Sequence, residues 1–149
     1  MFRKLTDSVY ASPQIDVGEV AAAKALGVAL IVNNRPEDES DDQTSGTEIE
    51  AAARAAGIAY VAIPVTHAGF SEPQVVAMRE ALDRAGDAPV LAYCRSGTRS
   101  TLLWALAEAS AGADPEELAA AAAGAGYDLA PVAPLLDMLA AKAGRPGQG

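Results

Sequence analysis

The only cysteine of this 149-residue chain, Cys94, opens the segment Cys94-Arg95-Ser96-Gly97-Thr98-Arg99, where residue types and spacing could support covalent chemistry. A free thiol titrates near about 8.5, whereas thiolates at helix N-termini beside arginine form between about 3.5 and 7.5. Both influences are expected here. Arg95 and Arg99 share one short loop, and the run from Arg99 or Ser100 to about Ser110 reads as a helix whose free N–H groups point back at the sulfur. Ser100 or Thr101 could add a hydroxyl donor. Gly97 permits positive φ and inward-turned amides, a nest for a tetrahedral anion, and Arg99 could close the ring with two parallel donors. Cys94 and Arg99 are therefore the catalytic candidates, with Arg95, Ser96, Gly97, Thr98 and Ser100 as substrate-binding ones. Phosphoryl transfer and sulfane-sulfur transfer both fit this loop.

A lone cysteine after a buried strand is ordinarily a small core residue. Two arginines, a glycine and a hydroxyl run between strand and helix have little packing rationale, which favours the nucleophile. That reading requires a sulfur that ionises and that solvent can reach.

The elements that must position this loop follow from pattern and punctuation. Val9 to Ala11 reads as a short strand, and Asp16 with Glu19 forms a capping-box signature for a helix to about Leu26. Val28 to Val32 is a continuous apolar run, as expected of a strand buried on both faces. Arg35 to Gly46, with Glu37, Asp38, Glu39, Asp41 and Asp42, reads as a solvated acidic loop beyond the end of that strand. Ser45 and Glu48 cap a helix to about Ala56, Ala59 to Ile63 is a strand, and Ser71 starts a helix to about Ala85. Pro89 to Tyr93 is the strand that delivers Cys94. Asp114-Pro115-Glu116-Glu117 is a helix start, and two helices are expected at Glu116 to Ala123 and Val132 to Ala143. The alternation predicts an α/β fold: a central, mainly parallel sheet of about four or five strands with helices on both faces, binding ligands outside the carboxyl ends of the strands. One domain is expected over residues 1–143, followed by a flexible tail at 144–149.

Bulk properties narrow the partners. Twenty acidic against eleven basic residues give a formal charge of −9, which repels nucleic acid and anionic lipid and leaves neither as an expected partner. A site for a small anion must then supply its own positive potential. One cysteine cannot form an internal disulfide, Met1-Phe2-Arg3-Lys4 running straight into Leu5-Thr6-Asp7 does not read as an arginine-flanked apolar signal segment, and no apolar run approaches the ~20 residues of a membrane span. The expected setting is cytoplasmic. One histidine and one cysteine make no convincing ligand set, so neither a metal nor another cofactor is expected.

Tyr10-Ala11-Ser12-Pro13-Gln14, Ile31-Val32-Asn33-Asn34-Arg35-Pro36, Ile63-Pro64-Val65, the loop from Tyr93 to Ser100, and Ala125-Gly126-Tyr127-Asp128-Leu129 together resemble a bacterial family. These are the dual-specificity-phosphatase-like domains of beta-lactamase-hydrolase-like proteins, often labelled sulfurtransferases. The resemblance implies a protein-tyrosine-phosphatase-like or dual-specificity-phosphatase-like sheet and cysteine-dependent chemistry. Phosphatases of that type carry His-Cys, five residues, then Arg. Here Tyr93 replaces the histidine and four residues separate Cys94 from Arg99, so the loop itself resembles that of rhodanese, a sulfurtransferase. The segment Thr66-His67-Ala68-Gly69 has no carboxylate where phosphatases keep a general acid. His67 is the candidate acid there, and Arg35 a candidate at the pocket mouth.

The leading expectation is therefore a sulfurtransferase that moves sulfane sulfur from thiosulfate or a persulfide through a Cys94 persulfide, to a small or protein thiol acceptor. The alternative is a phosphatase-like hydrolase acting on a phosphate ester through a phosphocysteine. A non-catalytic anion-binding or redox-sensing module is the third reading.

Overall fold

The computed structural model describes residues 2–144; the tail expected at 144–149 lies outside them except for Gly144. Among the described residues five strands, β1 (Arg3–Thr6), β2 (Val9–Ser12), β3 (Leu30–Asn33), β4 (Ala59–Ala62) and β5 (Val90–Tyr93), form one sheet in the order β1-β2-β5-β3-β4. β1 runs antiparallel to β2, and every other pairing is parallel. Among the described residues six α-helices surround the sheet: α1 (Val17–Ala25), α2 (Gly46–Ala55), α3 (Glu72–Ala85), α4 (Thr98–Ser110), α5 (Pro115–Gly124) and α6 (Ala133–Ala143). A short 3-10 turn, Ala130–Val132, leads into α6. No helix among the described residues is long and apolar enough to cross a membrane.

The continuous apolar runs of β3 and β5 are explained by burial on both faces. Successive side chains of a strand point to opposite sides. Leu30, Val32, Val90 and Ala92 accordingly join the core under α3, α4, α5 and α6, while Ile31, Leu91 and Tyr93 join the core under α1 and α2. Helix α4 is buried on nearly all sides, from Ser100 to Ala107 and again at Ala109. A helix apolar all round belongs in the interior, and this one carries the loop of interest at its N-terminus.

Local signals hold where they were read. Asp16 and Glu19 exchange side-chain and backbone bonds of 2.8 and 3.0 Å at the start of α1, and Ser45 accepts from the Glu48 amide at 3.2 Å at the start of α2. One strand had no readable signal. In β1 only Leu5 is buried, and the exposed Arg3 and Lys4 blunt a sheet edge that would otherwise invite pairing.

Register decides where the site lies. Ser12 pairs with Tyr93, Tyr93 with Asn33, and Asn33 with Ala62, so four parallel strands end at one level. Gln14, Arg35, Val65 and Cys94 leave the sheet there. Two bonds lock the edge: Asn34 Nδ2 donates to the Ile63 carbonyl at 2.9 Å, and Ser100 Oγ donates to Asn34 Oδ1 at 2.8 Å.

Trp104, 1% exposed at the centre of α4, is the largest fully buried side chain, and its indole N–H has no hydrogen-bond partner among the described residues. Trp104→Ala is expected to cost about 3–5 kcal/mol in urea unfolding, as for other buried aromatics. Trp104→Phe is expected to cost less than half of that, because it keeps a ring in place and removes the orphaned donor.

Candidate active site at the β5–α4 loop

The loop is slung between the ends of its neighbours. The Cys94 amide donates to the Ser12 carbonyl at 3.3 Å, the Asn34 amide to the Tyr93 carbonyl at 2.8 Å, and the Gln14 amide to the Arg95 carbonyl at 3.2 Å. Gly97 sits at φ +93°, and its N–H donates to Cys94 Sγ at 3.1 Å. Helix α4 starts at Thr98, one residue earlier than the sequence suggested, so its first turn stands directly over the cysteine.

Other donors fall elsewhere than expected. Thr101 Oγ1 donates to the Gly97 carbonyl at 2.8 Å, four residues back along the helix, and the Ser100 hydroxyl is engaged by Asn34. With Ser100 fully buried, neither hydroxyl serves the sulfur or a ligand in this conformation. Ser96 and Thr98 are exposed, and their side chains bond each other at 3.0 Å across the loop. Arg95 is exposed. Tyr93 points into the core under α1 and α2, where burial pushes its phenol well up.

The largest departure concerns the acidic loop. Glu39 is not solvated: its carboxylate takes both terminal nitrogens of Arg99 at 2.8 Å each, and the side chain is only 16% exposed. Arg99 Nη1 also donates to the Val65 carbonyl at 2.6 Å. Arg35, 4% exposed, donates from Nε to Glu39 at 2.9 Å, from Nη1 to Gln14 at 3.0 Å and from Nη2 to Ser40 at 3.0 Å. Arg35 is thus a buried strut that fixes Glu39. A guanidinium has five N–H groups. Glu39 and Val65 take three of those on Arg99, leaving Nε–H and one Nη2–H side by side as a fork, with the Cys94 thiol as the neighbouring side chain. The Glu39 hydrogen bond, followed by proximity to Cys94, holds Arg99 firmly charged. Glu39 is correspondingly lowered to about 2, with the Arg99 hydrogen bond as the largest cause.

Cys94 itself is 0% exposed, against the expectation of a solvent-accessible sulfur. It lies at the base of the loop, beneath the Gly97 amide and beside a guanidinium that Glu39 holds from across the sheet edge. A reagent can reach it only after these groups shift. His67, the other expected participant, is exposed in the β4–α3 loop and bonds to nothing described; it stands two residues past Val65, whose carbonyl holds Arg99. Among the described residues no group of three or more His, Cys, Asp or Glu side chains could hold a metal ion. Glu39, Gln14 and Asn34 complete the site without having been singled out for it. Nothing in the run Glu37-Asp38-Glu39 distinguishes the inserted acid from its neighbours.

Glu39 ties stability to pH. Because its folded value, about 2, lies below the ordinary 4.5, its contribution is fully present above about 4.5 and is lost as pH falls toward 2. Glu39→Gln should flatten the loss of thermal stability between those values. The same variant removes a negative charge from the guanidinium that would grip an anion, so phosphate should bind several-fold tighter by calorimetry at neutral pH.

The chain and its fold match known proteins. A family model for the phosphatase-like domain of beta-lactamase hydrolase-like proteins matches residues 1–111. The beta-lactamase hydrolase-like protein of Agrobacterium fabrum is 34% identical over 93 residues, covering 62% of this chain and 21% of its own length. The chain therefore spans about one fifth of the length of that curated relative. A candidate phosphatase structure from Neisseria meningitidis is 33% identical, with 92% of this chain and 96% of that chain covered and a TM-score of 0.78. P. aeruginosa TpbA in complex with pTyr is 17% identical, with 95% and 89% covered and a TM-score of 0.66, a likeness of fold alone. With three quarters of its length inside the family model and the Cys94 loop in that part, the chain belongs to the phosphatase-like domain family of beta-lactamase hydrolase-like proteins.

Proposed function

We propose that this chain is a cysteine-dependent phosphatase-like hydrolase of small phosphate esters, with Cys94 as nucleophile and Arg99 as the cation that grips the oxyanion. One observation carries the reading: the sole cysteine stands at the carboxyl end of β5, 3.1 Å from the Gly97 amide and beside the guanidinium of Arg99. Positive dipole ends and a cation converge there on one sulfur. Membership in a phosphatase-like family favours the phosphoryl reading over the sulfurtransferase that the loop spacing alone suggests.

In the proposed reaction the groups that cover the fully buried Cys94 first move aside, and its thiolate then attacks phosphorus while the bond to the leaving oxygen breaks. The Nε and Nη2 fork of Arg99, the loop amides, and Arg95, Ser96 and Thr98 at the rim take the phosphoryl oxygens. The leaving oxygen acquires a proton from water or from His67. Water then attacks the phosphocysteine, releasing inorganic phosphate and the thiol. A lone free thiol is most readily kept reduced in a reducing compartment, and we place the protein in the cytoplasm on that ground.

Proton supply is the weak step. Glu39, held near 2, is ionised at neutral pH and cannot be the acid. General acids contribute about 10²–10⁴-fold, so turnover should depend steeply on the leaving group. Aryl phosphates are expected to react at least about 10²-fold faster than alkyl phosphates. His67→Ala should lower the alkyl rate more than the aryl rate if the imidazole is the donor, and Cys94→Ser should abolish both.

A second reading, sulfur transfer, is favoured by the four-residue spacing and by the lack of a carboxylic acid to protonate a leaving group, since sulfite leaves thiosulfate without one. Intact mass separates the two. A phosphoryl adduct on Cys94 during aryl phosphate turnover supports the hydrolase; one added sulfur after thiosulfate, released by cyanide, with no hydrolysis, would replace it.

A further inference from the structure

Tyr127, in the segment after α5, touches the loop at a specific place. Its hydroxyl donates to the Ser96 carbonyl at 3.1 Å. That carbonyl and the Gly97 N–H belong to one peptide unit, and the N–H is the group that donates to Cys94 Sγ. In a trans peptide the C=O and N–H point in opposite directions. A donor holding the carbonyl on one side therefore aims the N–H at the sulfur on the other.

The peptide needs such a hold. Gly97 lies at φ +93°, and glycine populates positive and negative φ about equally, so this unit could turn over at little cost. Tyr127 also closes the space beside it: a Cβ built on Gly97 would fall 2.1 Å from the Tyr127 hydroxyl oxygen and 2.9 Å from the ring carbon that bears it. The phenol is fixed in turn by Arg3 of β1, whose guanidinium lies 5.2 Å from the ring centroid and donates to the Ala125 carbonyl at 3.3 Å.

We propose that Tyr127 is a positioning residue for the nucleophile, acting through the Ser96–Gly97 peptide to hold one backbone N–H on the Cys94 sulfur. Hydrogen bonds in series polarise one another, so the contact strengthens the amide as a donor as well as orienting it. The phenol remains a donor throughout, because burial raises its ionisation above the ordinary value. Other charged groups at the sulfur are Arg99 of α4, backed by Glu39 and Arg35 from the β3–α2 region, and the exposed Arg95 of the loop itself; Arg3 stands behind the Tyr127 ring. Tyr127→Phe leaves all of these in place and removes one hydroxyl.

The inference rests on Cys94 being a nucleophile, but not on which group it transfers. The test is the pH profile of Cys94 alkylation by iodoacetamide, unambiguous because the chain has one cysteine, in the parent and in Tyr127→Phe, with thermal unfolding as a control. The expected result is a midpoint moved to higher pH, an unchanged plateau at high pH, and a rate about threefold to tenfold lower on the acidic limb, the worth of one hydrogen bond. A merely structural role would scale the rate equally at every pH. Superimposable profiles, or a change confined to the plateau, would overturn the proposal. A parent thiol that never reacts would overturn it together with the nucleophilic role of Cys94. A normal alkylation shift without phosphate ester hydrolysis would sink the hydrolase reading and leave Tyr127 in its place.

Discussion

Four parallel strands that end at one level impose the main constraint on this molecule. Each must pass its chain outward at the same edge, so the segments after Ser12, Asn33, Ala62 and Tyr93 crowd together whatever their sequences. Their backbone groups, leaving the ladder, need new partners. The Cys94 amide finds the Ser12 carbonyl, the Asn34 amide the Tyr93 carbonyl and the Asn34 side chain the Ile63 carbonyl. The cysteine loop is thereby suspended from both neighbouring strands before any side chain of the loop contributes.

Charge is organised on top of that frame. Against a net charge of −9, two arginines are brought to the same carboxylate, Glu39. Arg35 is buried with each of its three nitrogens bonded, to Glu39, Gln14 and Ser40, which offsets the cost of taking a cation out of water. Arg99 is held by Glu39 along its Nη1–Nη2 edge and by the Val65 carbonyl at Nη1. Glu39 thus has a double effect: it aims the guanidinium, and it places a negative charge next to the position a substrate anion would occupy. Cys94 beside it has no exposed surface.

The backbone of the cysteine loop is braced from β1 and from the segment after α5. Arg3, on the edge strand β1, stacks on Tyr127, and Tyr127 rests on Gly97. The family model ends at residue 111, short of Tyr127, so this brace comes from outside the matched segment.

The sequence by itself determined what depends on neighbours in the chain. The alternation of apolar runs with capped helices, the box of Asp16 and Glu19, and the strand–cysteine–helix junction at Cys94 are short-range patterns with short-range physical causes. The buried strands were legible because burial on both faces demands an unbroken apolar run. Edge strand β1 was not, since its charged residues satisfy a sheet edge without any apolar pattern. Tertiary structure alone decided which acid of the 35–46 loop enters the site, that Ser100 and Thr101 turn away from the sulfur, and that Cys94 is covered. Glu39 meets Arg99 across 60 positions, and Tyr127 meets Ser96 across 31. No local propensity selects between Glu37, Asp38 and Glu39; only the convergence of strand ends in space does.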